Sequence, residues 1–266
     1  MRQTVQRIII PIFIVYLSGC ATLHNGHGWG QDTTLSPGWE SVQAAAIDAA
    51  RSPITWAPLL AAGLLQIENA DQNLSDWAAD DTPIFGSLQR ADMVSTNLAR
   101  ASIGFYIFTA LAAPSGDEQW LESKAKGLGV GFAAELITAR LTEGLKTATD
   151  RQRPNGKGNS CFPSGHTSTA AVSATLANDN IDTLDIPQSA RIGLKGVAAA
   201  LTLGTAYARV EAQKHFPSDV LAGAALGHFI GVFADEAFLA SEQRYRVLPM
   251  VDVSRSGFLF GISGHF

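Results

Sequence analysis

The chain has 266 residues, a formal net charge of −5, 46% hydrophobic and only 16% charged residues. Such a length suits one domain with a substantial core. The acidic balance leaves no basic surface for nucleic acid, and no nucleic-acid motif is present.

The first residues read as a targeting segment, not as fold. Arg2 and Arg7 form a cationic start, Ile8 to Leu17 an apolar run, and Leu17-Ser18-Gly19-Cys20 a small-residue cleavage site ending in cysteine. This resembles a bacterial lipoprotein signal. It implies a signal peptide over 1–19, lipidation of Cys20, and a periplasm-facing protein of the cell envelope held by an N-terminal lipid anchor. Ala21 follows the cysteine, which by resemblance to Gram-negative lipoproteins points to the outer membrane. Cys161 is then the one other cysteine, so the mature chain makes no internal disulfide, and a small packing role suits it better than a catalytic thiol.

A polar, Gly-containing linker is expected over 20–38. Helical patterns then run over 39–51, 53–69, 90–113, 117–148, 165–178, 188–209 and 217–240. Pro53, Pro187 and Pro217 sit near helix starts, where a missing N–H costs little, and Asp117 is placed to cap the fourth helix. Asp71 to Ser87 reads as an acidic surface loop or lid carrying Trp77. Ser52–Ile67, Ala101–Gly116 and Val220–Ala234 carry no charge but fall short of the roughly 20 residues that cross a bilayer. They read as buried helices of a globular bundle, with integral membrane spans as the alternative, so the expected fold is all-α: one bundle of about six to seven helices over 39–240. The tail, 241–266, has β-leaning stretches at Val247–Val253 and Phe258–Ile262 and is expected to form a short hairpin.

Three clusters carry chemistry. Lys146 and Arg153-Pro154 lie at the end of the long fourth helix, with Arg151 able to serve as well as Arg153. Pro163-Ser164-Gly165-His166 opens the next helix, with Ser164 at the N-cap and free backbone amides that favour an anion. Arg209 precedes His215 and Asp219; Pro217 would break a helix running through both, so the helix starts near Phe216, with Asp219 in its first turn reaching back to His215. A carboxylate on one ring nitrogen would leave the other nucleophilic. Each cluster alone is ordinary helix punctuation.

Together, Lys146-(six residues)-Arg153-Pro154, Pro163-Ser164-Gly165-His166 and Arg209-(five residues)-His215-(three residues)-Asp219 resemble the three motifs of the type-2 phosphatidic acid phosphatase superfamily. That superfamily also holds bacterial nonspecific acid phosphatases and vanadium haloperoxidases. The resemblance implies a helical bundle and a phosphatase needing no metal or other cofactor. Lys146, Arg153, Ser164, Gly165 and Arg209 would bind phosphate, His215 oriented by Asp219 would attack phosphorus, and His166 would protonate the leaving oxygen. Ala208 departs from the pattern, which usually has serine before the arginine, so one phosphate contact is expected to be missing. The anchor and apolar helices favour a lipid-borne phosphomonoester or diphosphate, such as phosphatidate, an isoprenoid diphosphate or a lipid A phosphate, over a soluble ester. The alternatives are a vanadate-dependent peroxidase and a catalytically inactive envelope binding or scaffold protein. His24, His27, His228 and His265 read as linker, core or tail residues.

Overall fold

The computed structural model describes residues 22–23, 26–116, 119–239, 247–254 and 257–264. The signal segment, Cys20, His24, Asp117 and His265 lie outside them. The architecture is an all-α bundle of eight α-helices among the described residues: α1 (Trp39–Arg51), α2 (Pro53–Leu64), α3 (Ala70–Asp81), α4 (Leu88–Ala112), α5 (Trp120–Thr149), α6 (Gly165–Asp182), α7 (Gln188–Glu211) and α8 (Pro217–Ala234). A π-helical turn, Asp235–Leu239, extends α8. The expected tail hairpin is present: β1 (Val247–Ser254) pairs antiparallel with β2 (Gly257–Gly264).

Helix α6 is the axis of the bundle, contacting α4, α5, α7 and α8. Its Ala, Ser and Thr residues are buried on nearly every side. Small side chains let neighbouring backbones approach closely, and α8 answers with Gly223, Gly227 and Gly231 at helical spacing. A β-carbon at Gly223 would lie 2.6 Å from the Ser164 carbonyl oxygen, and one at Gly231 would lie 2.7 Å from Thr175 Cβ. The apolar core around this contact includes Tyr106, Val172, Leu176 and Ile230. Pro217–Leu239 is the one stretch among the described residues long and apolar enough to cross a bilayer, and it is mostly buried within the bundle.

The stretch 22–38 runs against the bundle instead of hanging free. Trp29 is 1% exposed, its backbone N–H donates to the Pro114 carbonyl at 2.6 Å, and the Lys124 ammonium sits 4.9 Å from its ring centroid.

Two expectations need correction. The helix expected over 53–69 stops at Leu64, because Glu68 and Asn69 turn into the left-handed region (φ 54° and 58°). The acidic loop expected from Asp71 is helix α3, which brings the bundle to eight helices among the described residues. Its buried face is Asp71, Ser75, Ala78 and Ala79. The spacing is helical, but the face is polar or small, so no hydrophobic periodicity announced it. Trp77, placed on that loop by sequence, is half-exposed on α3.

Candidate active site

The three clusters meet at one end of the bundle, where α5 and α7 end and α6 and α8 begin. Helix α5 closes at Thr149 with Asp150 in the left-handed region, which puts Lys146 in its last turn and Arg151 and Arg153 on the exit loop. The chain returns through Cys161 and the cis Phe162–Pro163 bond to Ser164, the N-cap of α6. Lys146 then stands beside the start of α6: a β-carbon on Gly165 would lie 3.4 Å from its Nζ. Glycine thus keeps the first amides of α6 open where an anion would sit. The Ser164 hydroxyl does not cap the helix as expected. Fully buried, it pairs with Thr167 Oγ1 at 3.0 Å.

Arg209, in the last turn of α7, is 4% exposed. Its Nη1 donates to Asp92 Oδ1 at 2.6 Å and to Ser95 Oγ at 3.2 Å, and Lys214 Nζ reaches the other Asp92 oxygen at 3.2 Å. Burial pushes the Asp92 carboxyl up, but Lys214 and Arg209 outweigh it and leave it below its ordinary value. The Nε groups of Arg209 and Arg153 are buried without a partner among the described residues. An unpaired buried donor is costly.

His215 is 2% exposed. Its Nδ1 donates to the Cys161 carbonyl at 2.6 Å. That bond places the ring proton on Nδ1 and leaves the lone pair on Nε2. Burial first, then the charges of Arg209, Arg153 and Lys146, hold the imidazole well below its ordinary pKa, although the Cys161 carbonyl opposes them. His215 is therefore neutral at pH 7, and the three cations that depress it are those expected in the phosphate clamp.

Asp219 lies in the first turn of α8 as expected, but it does not hold His215 directly. Its Oδ2 is 3.9 Å from Nδ1. That oxygen instead accepts from the Phe216 amide at 2.8 Å and the Cys161 thiol at 2.7 Å, while Oδ1 accepts from Arg151 at 2.6 Å. Capping α8 pulls the carboxylate toward the helix start and away from the ring. Cys161 bridges the gap, its thiol on Asp219 and its carbonyl on His215. Burial raises the Asp219 carboxyl despite Cys161 and Arg151. Burial and the neighbouring Asp219 charge push the Cys161 thiol far up, so it stays protonated and inert as a nucleophile. Cys161, His215 and Asp219 bring three ligand-type atoms within 4.8 Å of one another. Nδ1 of His215, the Cys161 thiol and Oδ2 of Asp219 are engaged in these hydrogen bonds.

Arg151 resolves the choice left open by sequence. It bridges Asp219 and Asp71, the latter at 2.8 Å, and lies 4.3 Å over the Phe216 ring. Asp71, on α3, also accepts from the Ser218 amide at 2.8 Å and the Ser218 hydroxyl. Arg151 is a structural bridge, whereas Arg153 donates through Nη2 to Ser160 Oγ at 3.2 Å and makes no such bridge. His166, in the first turn of α6, lies 3.3 Å through Nε2 from Thr96 Oγ1 of α4. Burial, then Arg209, depress it to about 4, with Asp92 opposing. Ala208 is fully buried.

A PAP2 superfamily model matches residues 87–239, from the N-cap of α4 to the end of the π-helical turn. The chain belongs to the PAP2 superfamily. A lipid A 1-phosphatase of Porphyromonas gingivalis is 28% identical over 175 residues, covering 65% of this chain and 36% of that protein. The chain thus spans about a third of the length of this curated relative. A crystal structure of a transmembrane PAP2 type phosphatidylglycerolphosphate phosphatase from Bacillus subtilis matches with a TM-score of 0.51 and 19% identity, covering 68% of this chain and 92% of that one. That likeness shows a shared fold.

The PAP2 segment includes every residue of the three clusters. Asp71 lies outside it, on α3. Sequence reading missed Asp71, Asp92, Thr96 and the bridging part of Cys161. Asp92 and Thr96, four residues apart on one helix face, were the available signal.

Proposed function

We propose that the protein is a phosphatase that hydrolyses a lipid-borne phosphomonoester or diphosphate through a phosphohistidine on His215. The observation that carries this reading is the pair of buried, unpartnered Nε–H groups of Arg153 and Arg209. With Lys146 and the Gly165 amide they supply the fixed positive charge that phosphoryl transfer needs, without calling on a metal. His215 Nε2 attacks phosphorus and the bond to the leaving oxygen breaks, with His166 donating a proton to that oxygen. His166 then takes a proton from water as the water oxygen attacks phosphorus, and the P–N bond breaks to return His215. Asp219 steadies this cycle through Cys161.

The lipid reading draws on the two PAP2 relatives, whose names specify lipid phosphates. It draws equally on the apolar exterior: Ile54, Leu60 and Leu64 of α2 and Phe132, Leu136 and Leu141 of α5 are exposed. Such a surface suits a bilayer better than water. The envelope location, the lipid anchor on Cys20, the outer-membrane destination and the division into signal, linker, phosphatase body and tail rest on the sequence. Metabolic labelling with a fatty acid, lost in Cys20→Ala, tests the anchor.

The function is tested by phosphate release from phosphatidate, an isoprenoid diphosphate, lipid A and p-nitrophenyl phosphate, with His166→Ala and His215→Ala as controls. Turnover should be lost in both variants, and His166→Ala should accumulate phosphoenzyme. Activity that survives His215→Ala would overturn the mechanism. Folded protein inactive on every substrate would overturn the enzyme.

A further inference from the structure

Residues 92–96, a single turn of α4, touch two working groups of the site. The Asp92 carboxylate and the Ser95 hydroxyl oxygen hold Nη1 of Arg209, while Thr96 Oγ1 lies 3.3 Å from His166 Nε2. Counting protons settles which partner donates to His166. Thr96 Oγ1 is also 3.2 Å from the Asp92 carbonyl, which can only accept and which takes a second bond from Ser95 Oγ at 2.7 Å. A hydroxyl has one proton to give. Both Thr96 contacts hold at once only if that proton goes to the carbonyl and the ring donates to Thr96 through Nε2–H. A neutral imidazole then has its lone pair on Nδ1. Among the described residues no hydrogen bond engages that nitrogen.

We infer that Thr96 is a positioning residue for the reaction: it holds Nε2–H of His166 and so presents Nδ1 to the substrate as the nitrogen that moves protons. The inference rests on the phosphatase reading and adds to it which ring atom works and what keeps it there. As His215 Nε2 bonds to phosphorus, Nδ1 takes the proton of the substrate's P–OH. It passes that proton to the leaving oxygen as the P–O bond breaks, so an alcohol departs, the phosphoryl group stays on His215, and His166 ends neutral. In the second half Nδ1 takes a proton from the attacking water and returns it to the phosphate released when the P–N bond breaks. Nε2 keeps its proton throughout. An acceptor on Nε2–H also favours the imidazolium that forms in passing.

The test uses the full-length protein as wild type, Thr96→Val and Thr96→Ser, with hexyl phosphate and p-nitrophenyl phosphate as substrates. A p-nitrophenolate leaves without a proton, whereas an alkoxide needs one from a general acid. The kcat/KM reports the first transfer, where that proton is given. Thr96→Val should lower it about tenfold more on hexyl phosphate than on p-nitrophenyl phosphate. Thr96→Ser, which keeps the hydroxyl, should restore the wild-type ratio of the two. Equal losses on both esters, as a purely structural role would give, overturn the inference, and so does a serine variant as unbalanced as the valine one. Nitrogen-15 NMR of the histidines at pH 7 reads the tautomer in wild type alone, with the His166 signals identified by their loss in His166→Ala. They should show the proton on Nε2. A proton on Nδ1 overturns the inference and leaves the phosphatase reading standing. Folded wild-type protein that turns over neither ester overturns the phosphatase reading and the proton transfer with it.

Discussion

Replacing Arg151 with leucine tests whether this residue is a structural bridge or part of the clamp. Arg151 is the cation shared by Asp71 and Asp219, whose side chains are 6% and 0% exposed. Removing it leaves two nearby carboxylates without their shared counter-charge. Breaking a buried ion pair costs ~3–5 kcal/mol, and the partial exposure of Arg151 puts this case near the lower end, about 3 kcal/mol. For a domain of this size that lowers Tm by roughly 6–12 °C.

The loss has a pH signature. Asp219 already has a folded pKa above its ordinary 3.8, and Arg151 is one of the groups holding it down. A carboxyl with a raised folded pKa favours the fold when protonated, and that advantage is lost as pH rises through the folded value. Without Arg151 the folded pKa rises further. The deficit should therefore be full near pH 8 and shrink as pH falls toward 4. Thermal melts by circular dichroism at pH 8 and pH 5 measure it. Adding Asp71→Asn to Arg151→Leu should cost less than the two single losses together, because one uncompensated charge is gone. A variant that melts within about 2 °C of wild type at pH 8, or losses that simply add, would refute the bridge.

Arg153→Ala should behave in the opposite way, lowering kcat by ~10²–10³ with Tm nearly unchanged, if its unpaired Nε binds the phosphoryl group as proposed; a large fall in Tm with turnover kept would exchange the roles of the two arginines. The kcat/KM should be highest in acid and fall with rising pH. His166 titrates near 4 and is neutral at pH 7, so the proton it relays to the leaving oxygen must be brought by a substrate monoanion, whose second pKa is about 6. A profile that rises through pH 8 would contradict that sequence of protonation. Gly227→Ala should destabilise the bundle by ~1–3 kcal/mol, since the added methyl runs into the Ser168 carbonyl; an unchanged denaturant midpoint would remove the close α6–α8 approach from the account.

Much of the site was legible because its residues punctuate helices. Lys146, Ser164, Arg209 and Asp219 lie within a turn of a helix end, where chain geometry is local. Pro217 alone separated His215 from the helix that carries Asp219. Helix α3 was not legible. Its buried face carries Asp71, and a buried carboxylate needs partners that local sequence does not reveal. For Asp71 those partners are Arg151 and Ser218, far away in sequence.

The sequence by itself determined the all-α class and the helix starts and stops around the clusters, and it supplied the candidates for clamp, acid and nucleophile. Those depend on side-chain chemistry and on backbone preferences acting over a few residues. Only the tertiary structure decided that Arg151 bridges Asp71 and Asp219, and that Asp219 reaches His215 through Cys161. Each depends on which remote groups satisfy a buried charge or hydrogen bond, and that is settled only when the helices pack.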